Sequence, residues 1–171
     1  MREEEVHWYV LYTKPQHEKK VAALLEQRHI EYFLPLQKRK RRWSDRYKII
    51  EFPVFPGYLF VHIEWGASHT PVLRLPGSLN FIRQEGGGPA IMPDEDLENL
   101  KLLTDSGSEL IGEPDKDFPP GQEVLIRFGP LRGVRGVVIR VGKGGRVFVR
   151  VPLLNQMVSA EIEAIDLEKM L

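Results

Sequence analysis

A dense run of basic side chains between positions 38 and 48 is the part of this sequence with the clearest chemistry. Lysine and arginine neutralise phosphates, and aromatic rings stack on exposed bases. The run therefore predicts a nucleic-acid contact, with a solvated charged loop as the alternative. Its members, with two interleaved aromatic residues, are Lys38, Arg39, Lys40, Arg41, Arg42, Trp43, Arg46, Tyr47 and Lys48, and the candidates that would extend the surface are Lys14, Lys19 and Lys20.

A second candidate surface lies in the aromatic stretch from Phe52 to Ile63. The half from Tyr58 onwards is apolar at nearly every position, which is typical of a buried strand. The large rings are more than one short strand can hide, and exposed apolar groups usually mark a binding site. We expect Pro56 and Gly57 to kink the chain so that Phe55 turns outward. Phe60 is either part of this surface or part of the core.

The sequence offers no legible active site, so we expect a protein that is not an enzyme and has no cofactor. The five histidines have no metal-ligand spacing, and there are no cysteines. The glycine-rich stretch 142–145 lacks the P-loop pattern and reads as a hairpin turn. The acidic residues at 94–96 begin a helix, where the helix dipole favours them.

Composition describes an ordinary globular protein without a membrane span. The 171 residues are 42% hydrophobic and 28% charged, with 24 basic and 24 acidic side chains. No run approaches the eighteen apolar residues that a span needs, and we do not expect the acidic N-terminus to be a signal peptide. We expect a cytoplasmic protein, because the absence of cysteine fits a reducing compartment. We also expect a monomer.

The elements that must position these residues are of two kinds. In the first part, short strands at 7–12, 31–34, 58–63 and 80–83 alternate with amphipathic helices at 16–28, 68–75 and 93–104, with Thr13 and Ser68 as candidate N-caps. This predicts an α+β fold, an antiparallel sheet with flanking helices. The basic run is expected to form a hairpin tip that projects from it.

Residues 105–117 are acidic and poor in apolar side chains, so we predict a flexible linker between two domains, 1–104 and 118–171. After the linker, four short β-branched segments separated by turn glycines predict a small antiparallel β-barrel. Interior glycines each cost a helix roughly 1 kcal/mol relative to alanine. A helical form of this domain is therefore not expected.

Three ordered motifs resemble the NusG family of transcription elongation factors and cover most of the chain. The first two, Trp8–Tyr12 and Phe55–Val61, are similar to the N-terminal NusG domain. The third, Gly129–Gly133 followed by Gly136, is similar to the KOW motif of the C-terminal barrel. The resemblance implies a factor that docks on the clamp helices of RNA polymerase, bridges the nucleic-acid cleft and suppresses pausing.

Carried over to this chain, the resemblance assigns the polymerase-binding depression to Tyr12, Phe55, Pro56, Tyr58 and Phe60. His69 and Thr70 stand where specialised paralogues of the RfaH type carry a His-Thr-Thr motif that faces the polymerase gate loop. The third position is Pro71 here, which departs from that motif. The basic insert also resembles those of RfaH, UpxY and LoaP, which implies an antitermination factor contacting either an RNA hairpin or the non-template DNA.

For the barrel, the resemblance implies a partner surface that meets a small-subunit ribosomal protein or the Rho factor. The matching positions are Phe128, Leu153, Leu154 and Gln156, the last of which replaces a family arginine. Two alternatives stay open at this point. One is a general NusG-type factor that couples transcription to the ribosome or Rho, and the other is a ribosome-associated KOW protein that binds RNA.

Overall fold

The mixed α+β architecture that the sequence predicts is confirmed in residues 5–169, the part of the chain that the computed structural model describes. Residues 1–4 and 170–171, which include most of the acidic N-terminus and the outer ends of the two predicted domains, lie outside the described residues. The helices are α1 (Glu18–Gln27), α2 (Trp65–Leu73), α3 (Asp94–Asp105) and α4 (Ala164–Lys169). The strands are β1 (Val6–Thr13), β2 (Glu31–Phe33), β3 (Leu36–Arg42), β4 (Tyr47–Pro53), β5 (Tyr58–Glu64), β6 (Ser78–Phe81), β7 (Ile91–Met92), β8 (Leu110–Pro114), β9 (Glu123–Leu125), β10 (Arg135–Val141), β11 (Gly144–Val151) and β12 (Gln156–Ile162).

The chain folds as two compact units that interleave in sequence. The first unit comprises Met1–Pro35, as far as it is described, and Phe55–Asp94. The second comprises Leu36–Val54 and Glu95–Leu171, so the basic hairpin β3–β4 groups with the C-terminal part of the chain.

The first unit is built on an antiparallel sheet in which β1 and β5 are central. The strand order is β2-β5-β1-β6, with the short β7 also paired to β1. The register between β1 and β5 pairs Val10 with Phe60 and Tyr12 with Tyr58. The apolar run that identified β5 in the sequence therefore forms a strand with neighbours on both sides.

The side chains of these strands alternate between two faces of the sheet. On one face, Tyr9, Leu11, Leu59, Val61 and Ile63 form a buried cluster with apolar residues of α1 and of the α2 region. Removing this apolar surface from water stabilises the unit. The opposite face carries the second set of side chains, which are Trp8, Val10, Tyr12, Tyr58, Phe60, His62, Glu31 and Phe33.

Both predicted N-caps in the first unit are wrong. Thr13 ends β1, and α1 is preceded instead by His17, whose side chain makes no capping hydrogen bond. Helix α2 begins three residues before Ser68, with Glu64 as its N-cap. The Glu64 carboxylate accepts the Ala67 N–H at 3.1 and 3.2 Å, which satisfies one of the free donors of the first turn.

The second unit contains the isolated two-stranded ribbon β3–β4 and a five-stranded antiparallel sheet in the order β8-β12-β11-β10-β9. The prediction that residues after 118 form strands rather than a helical hairpin is confirmed. Within residues 5–169, the pairings form a linear path that leaves β8 and β9 as edges. Val147, Val158 and Ala160 lie in the buried interior of this sheet.

The segment predicted as a flexible linker, 105–117, differs from that expectation because it contains β8. Its residues pair with β12 from Leu110 opposite Ala160 to Pro114 opposite Gln156. Leu110 is buried, and Gly112 allows a close approach, since a Cβ there would lie 2.7 Å from the Val54 carbonyl oxygen. The two apolar residues before Gly112 are too few to stand out among the surrounding acids and prolines.

Helix α3 is also tied to the C-terminal sheet by two reciprocal hydrogen bonds. The Asn99 side-chain amide donates to the Arg135 carbonyl oxygen, and the Arg135 N–H donates to Asn99 Oδ1, each at 2.7 Å. No helix of the described residues has the length and apolar character needed to cross a membrane.

Candidate functional site

The Phe55–Tyr58 segment forms a tight turn whose residues dictate its type. The Tyr58 N–H donates to the Phe55 carbonyl oxygen at 3.1 Å, and Gly57 has a φ of +89°. Proline at the second position and glycine at positive φ in the third fit a type II β-turn. The kink that the sequence predicts is therefore a defined turn that leads directly into β5.

The turn is held in place by a buried carboxylate that sequence reasoning missed. Glu18, in the first turn of α1, accepts the Gly57 N–H through Oε1 at 2.8 Å, and the Gly57 carbonyl oxygen accepts the Thr13 N–H at 2.8 Å. A buried carboxylate accepting a backbone N–H is a strong, charge-assisted contact. Nothing in the sequence distinguishes Glu18 from an ordinary acidic residue at a helix start.

The aromatic residues predicted to form one exposed surface divide into exposed and buried sets. Tyr12 is 37% exposed, and its ring lies 5.3 Å from that of the half-buried Tyr58. Pro56 is exposed between them in the turn. We call Tyr12, Pro56 and Tyr58 the tyrosine patch.

The expectation that Phe55 turns outward is wrong, because its side chain is only 1% exposed. The turn reverses the chain, but it directs the Phe55 ring to the interior. Phe60 is fully buried as well and stacks on Phe33 with ring centroids 5.9 Å apart. Of the two alternatives for Phe60, its position is therefore the core.

Gly57 also restricts the position of the Tyr12 ring. An added Cβ at Gly57 would lie 3.1 Å from Tyr12 Cε2, closer than ordinary van der Waals contact. We expect Gly57→Ala to lower the free energy of unfolding by about 1–2 kcal/mol from backbone strain alone, and further by displacing Tyr12. Urea denaturation measures the change. Gly86→Ala is the matched control, since Gly86 also has a positive φ, +96°, but no atom lies within 4 Å of its added Cβ. Equal losses in both variants would show that Tyr12 is not restrained by Gly57.

His69 and Thr70 lie on α2 in a compact polar arrangement. The His69 ring stacks on Trp65 at 4.5 Å between centroids, and its Nδ1 lies 2.6 Å from the Trp65 carbonyl oxygen. Because a carbonyl oxygen only accepts, Nδ1 carries the proton. Nε2 is then free to accept the Thr70 hydroxyl at 3.2 Å. The imidazole is thus fixed in orientation, while Thr70 is exposed.

A second histidine arrangement, which the sequence did not reveal, lies on the sheet face opposite α1 and α2. His62 Nδ1 contacts Glu31 Oε2 at 2.6 Å, and the His62 ring stacks on Trp8 with centroids 4.6 Å apart. These residues are direct neighbours across β2, β5 and β1, so the sheet register creates the row.

Tyr9 lies on the other face of this sheet, which the helices cover. Burial raises the pKa of the Tyr9 hydroxyl, and the charge of Glu64 raises it by a smaller amount.

The basic run forms the ribbon β3–β4, as the sequence predicts, and all of its charged side chains are exposed. Seven register pairs join the strands, from Leu36 opposite Pro53 to Arg42 opposite Tyr47. The turn is closed by the Trp43 N–H, which donates to the Arg46 carbonyl oxygen at 2.8 Å. Lys48 Nζ lies 5.0 Å from the centroid of the Trp43 ring, a cation–π contact.

The three further lysines of the predicted nucleic-acid surface belong to the first unit. Lys14 follows β1, and Lys19 and Lys20 lie in the first turn of α1. All three are exposed. They are thus close together in sequence near the N-terminal end of α1, whereas the ribbon belongs to the second unit.

The predicted partner surface of the C-terminal sheet is only partly accessible. Phe128 is exposed in the loop between β9 and β10, and Leu153 and Gln156 are half-buried. Leu154 is buried within the 3₁₀ turn Pro152–Leu154, so it packs inside the sheet domain rather than presenting a surface. In the described part of the chain, no three histidine or acidic side chains group as a metal site would require.

Comparison with known proteins agrees with the motifs described above. The family model described as "Transcription termination factor nusG" matches residues 6–101. A relative from Pasteurella multocida, named "Transcription termination/antitermination protein NusG", is 26% identical over 173 residues, which cover 95% of this chain and 94% of the relative. A relative of the same name from Bacillus subtilis is 25% identical, with 97% of this chain and 99% of the relative covered.

A solved structure described as "Domain interaction in Thermotoga maritima NusG" matches with a TM-score of 0.57 and 20% identity. The match covers 95% of this chain and 96% of that one, and it shows a shared fold. Since the family model spans more than half of the sequence, and curated relatives align along nearly all of it, the chain belongs to the NusG family.

Proposed function

We propose that the protein is a transcription elongation and antitermination factor that docks on the clamp helices of RNA polymerase through the tyrosine patch. The observation that carries the proposal is the pair of adjacent rings, Tyr12 and Tyr58, at a turn fixed by Glu18. Rigid aromatic side chains at a preorganised position are what a binding hot spot requires. Phe55 and Phe60 support the patch from the interior, and no catalytic step is involved.

The polymerase gate loop is the proposed partner of His69 and Thr70. The stacking of His69 on Trp65 and its hydrogen bond to the Trp65 carbonyl oxygen hold the imidazole rigid. The exposed Thr70 hydroxyl can exchange its bond to His69 for a bond to a partner. Pro71 in the third position of the motif limits this contact to the two preceding side chains.

The ribbon β3–β4 is the proposed nucleic-acid contact, to an RNA hairpin or to the non-template DNA strand. The ribbon carries seven basic side chains and only two acidic ones, Asp45 and Glu51. A local excess of this kind neutralises phosphates and releases counterions, so affinity falls with salt. Lys14, Lys19 and Lys20 are a separate proposed nucleic-acid contact on the first unit.

The C-terminal sheet is proposed to bind a protein partner, a small-subunit ribosomal protein or Rho, through Phe128, Leu153 and Gln156. Phe128 is the strongest candidate, since its ring is 40% exposed, whereas Leu153 and Gln156 are half-buried. We propose that the protein works as a cytoplasmic monomer. In this proposal, residues 1–104 bind the polymerase and residues 118–171 bind the protein partner. Strand β8 adds an edge strand to the sheet of residues 118–171.

A ribosome-associated KOW protein is the rival that a single experiment separates. The full chain is incubated with purified RNA polymerase or with purified ribosomes, and bound protein is measured by sedimentation. We expect saturable binding to polymerase with micromolar affinity or better. Tight binding to ribosomes together with no binding to polymerase would reject the elongation-factor proposal.

A further inference from the structure

We propose that the ribbon β3–β4 binds an unpaired nucleic-acid strand along one of its two faces only, the face that carries Tyr47. This inference rests on the nucleic-acid contact proposed above and names both the surface and the class of ligand. It follows from the register of the ribbon and from the unequal exposure of its aromatic side chains.

The register places six of the seven basic side chains in two sets of three, and Arg46 lies in the turn between the strands. Residues directly opposite each other in an antiparallel pair point to the same face, and successive residues alternate. The Tyr47 face carries Lys38, Lys40 and Arg42, opposite Glu51, Ile49 and Tyr47 respectively. The Trp43 face carries Arg39 and Arg41, opposite Ile50 and Lys48, and the contact of Lys48 with the Trp43 ring places Trp43 on this side.

The two faces differ in what they leave accessible. Tyr47 is 70% exposed and Ile49 63% exposed. On the other face, Trp43 is 48% exposed with Lys48 above its ring, and Ile50 is half-buried. The base of the ribbon is half-buried on both faces, at Leu36 and Pro53 on the Tyr47 face and at Gln37 and Phe52 on the other. The Tyr47 face therefore presents an open aromatic ring and an open aliphatic side chain beside three cations.

This arrangement matches the chemistry of an extended single strand. Side chains two residues apart on a strand are separated by about 6.6 Å, which is similar to the separation of neighbouring phosphates in an extended chain. Lys38, Lys40 and Arg42 can thus follow a phosphate backbone. Tyr47 can stack on a base whose face is exposed, which a duplex hides inside its stack. Glu51 lies opposite Lys38 and repels phosphate, so the row of phosphate contacts ends at the base of the ribbon.

Two triple variants that remove the same charge test the inference in the full-length protein. The first is Lys38→Gln/Lys40→Gln/Arg42→Gln, and the second is Arg39→Gln/Arg41→Gln/Lys48→Gln. Binding to fluorescein-labelled RNA and DNA 12-mers without secondary structure is measured by anisotropy over a range of salt concentrations. We expect the first triple variant to weaken binding at least tenfold and to reduce the salt slope by about 2. The second should weaken binding less than threefold.

Substitution of the aromatic side chains tests the same inference without a change of charge. Tyr47→Leu should weaken binding about tenfold, in the range found for loss of one base stack, whereas Trp43→Leu should change it less than twofold. All substituted side chains are exposed, so thermal unfolding is expected to match the wild type and to confirm that folding is intact. The RNA and DNA arms report which of the two strands binds more tightly.

The outcomes separate this inference from the nucleic-acid contact on which it rests. Equal losses in both triple variants would mean that only total charge matters, which would overturn the one-face inference and keep the contact. Tighter binding of a matched duplex than of the single strands would overturn the ligand class. If neither triple variant changes nucleic-acid binding, the ribbon is not a nucleic-acid contact. Both proposals would then be wrong.

Discussion

Replacing Tyr12 and Tyr58 together by alanine is expected to weaken binding to RNA polymerase at least about 100-fold. Each ring of a hot spot contributes on the order of 2 kcal/mol or more when it is truncated, and about 2.8 kcal/mol already corresponds to 100-fold. The two rings are 5.3 Å apart, so they are expected to contact the same partner surface. Affinity is measured by titrating labelled polymerase with wild-type and variant protein.

The first unit offers a matched control for this variant. Leu79 on β6 and Ile91 on β7 are exposed apolar side chains that lie outside the tyrosine patch. Leu79→Ala/Ile91→Ala should leave polymerase affinity within about twofold, since exposed contacts away from a hot spot contribute little. If the tyrosine variant still binds polymerase like the wild type, the docking surface lies elsewhere on the molecule.

The second large effect expected is on stability rather than on docking, and it concerns Phe55. Because the Phe55 ring is almost completely buried, Phe55→Ala should lower the free energy of unfolding by about 3–5 kcal/mol through lost burial and the cavity left behind. Urea denaturation followed by circular dichroism gives the midpoint from which the loss is obtained.

Phe128→Ala is the control for Phe55→Ala, because it removes the same ring from an exposed position. We expect it to change the free energy of unfolding by less than about 1 kcal/mol. A wild-type midpoint for Phe55→Ala would contradict the buried position, and the sequence-based expectation of an outward ring would then be the better description. Loss of polymerase binding by Phe55→Ala without loss of stability would have the same meaning.

Much of the fold could be predicted from local patterns. The β-branched and aromatic runs that form β1 and β5 are long enough to be recognised without knowledge of their partner strands. The basic run must lie at the surface, because so many charged side chains cannot be buried. The type II turn at Phe55–Tyr58 is encoded by two adjacent residues, Pro56 and Gly57. These predictions depend on neighbours in the sequence, and the structure confirms them. The equally local predictions of Thr13 and Ser68 as N-caps are wrong, because other residues precede α1 and α2.

The parts that could not be predicted depend on distant residues. Whether Phe55 points inward depends on the packing around the turn, which a sequence motif does not report. Glu18 and Gly57 are 39 positions apart, so their hydrogen bond leaves no local signal. Strand β8 has only two apolar residues of its own, and it forms because β12 provides a partner edge. Helix α2 begins at Trp65 because the Glu64 carboxylate can reach the Ala67 N–H.

Transcription in vitro through an intrinsic terminator, with purified polymerase and the full-length protein, tests whether the protein is an antitermination factor that works through the tyrosine patch. Templates with and without a candidate leader hairpin are compared, and readthrough is measured from the ratio of long to terminated transcripts. We expect the wild-type protein to increase readthrough, Tyr12→Ala/Tyr58→Ala to leave it unchanged, and Leu79→Ala/Ile91→Ala to behave like the wild type. Unchanged readthrough with the wild-type protein on both templates, or equal readthrough with the tyrosine variant, would contradict this proposal.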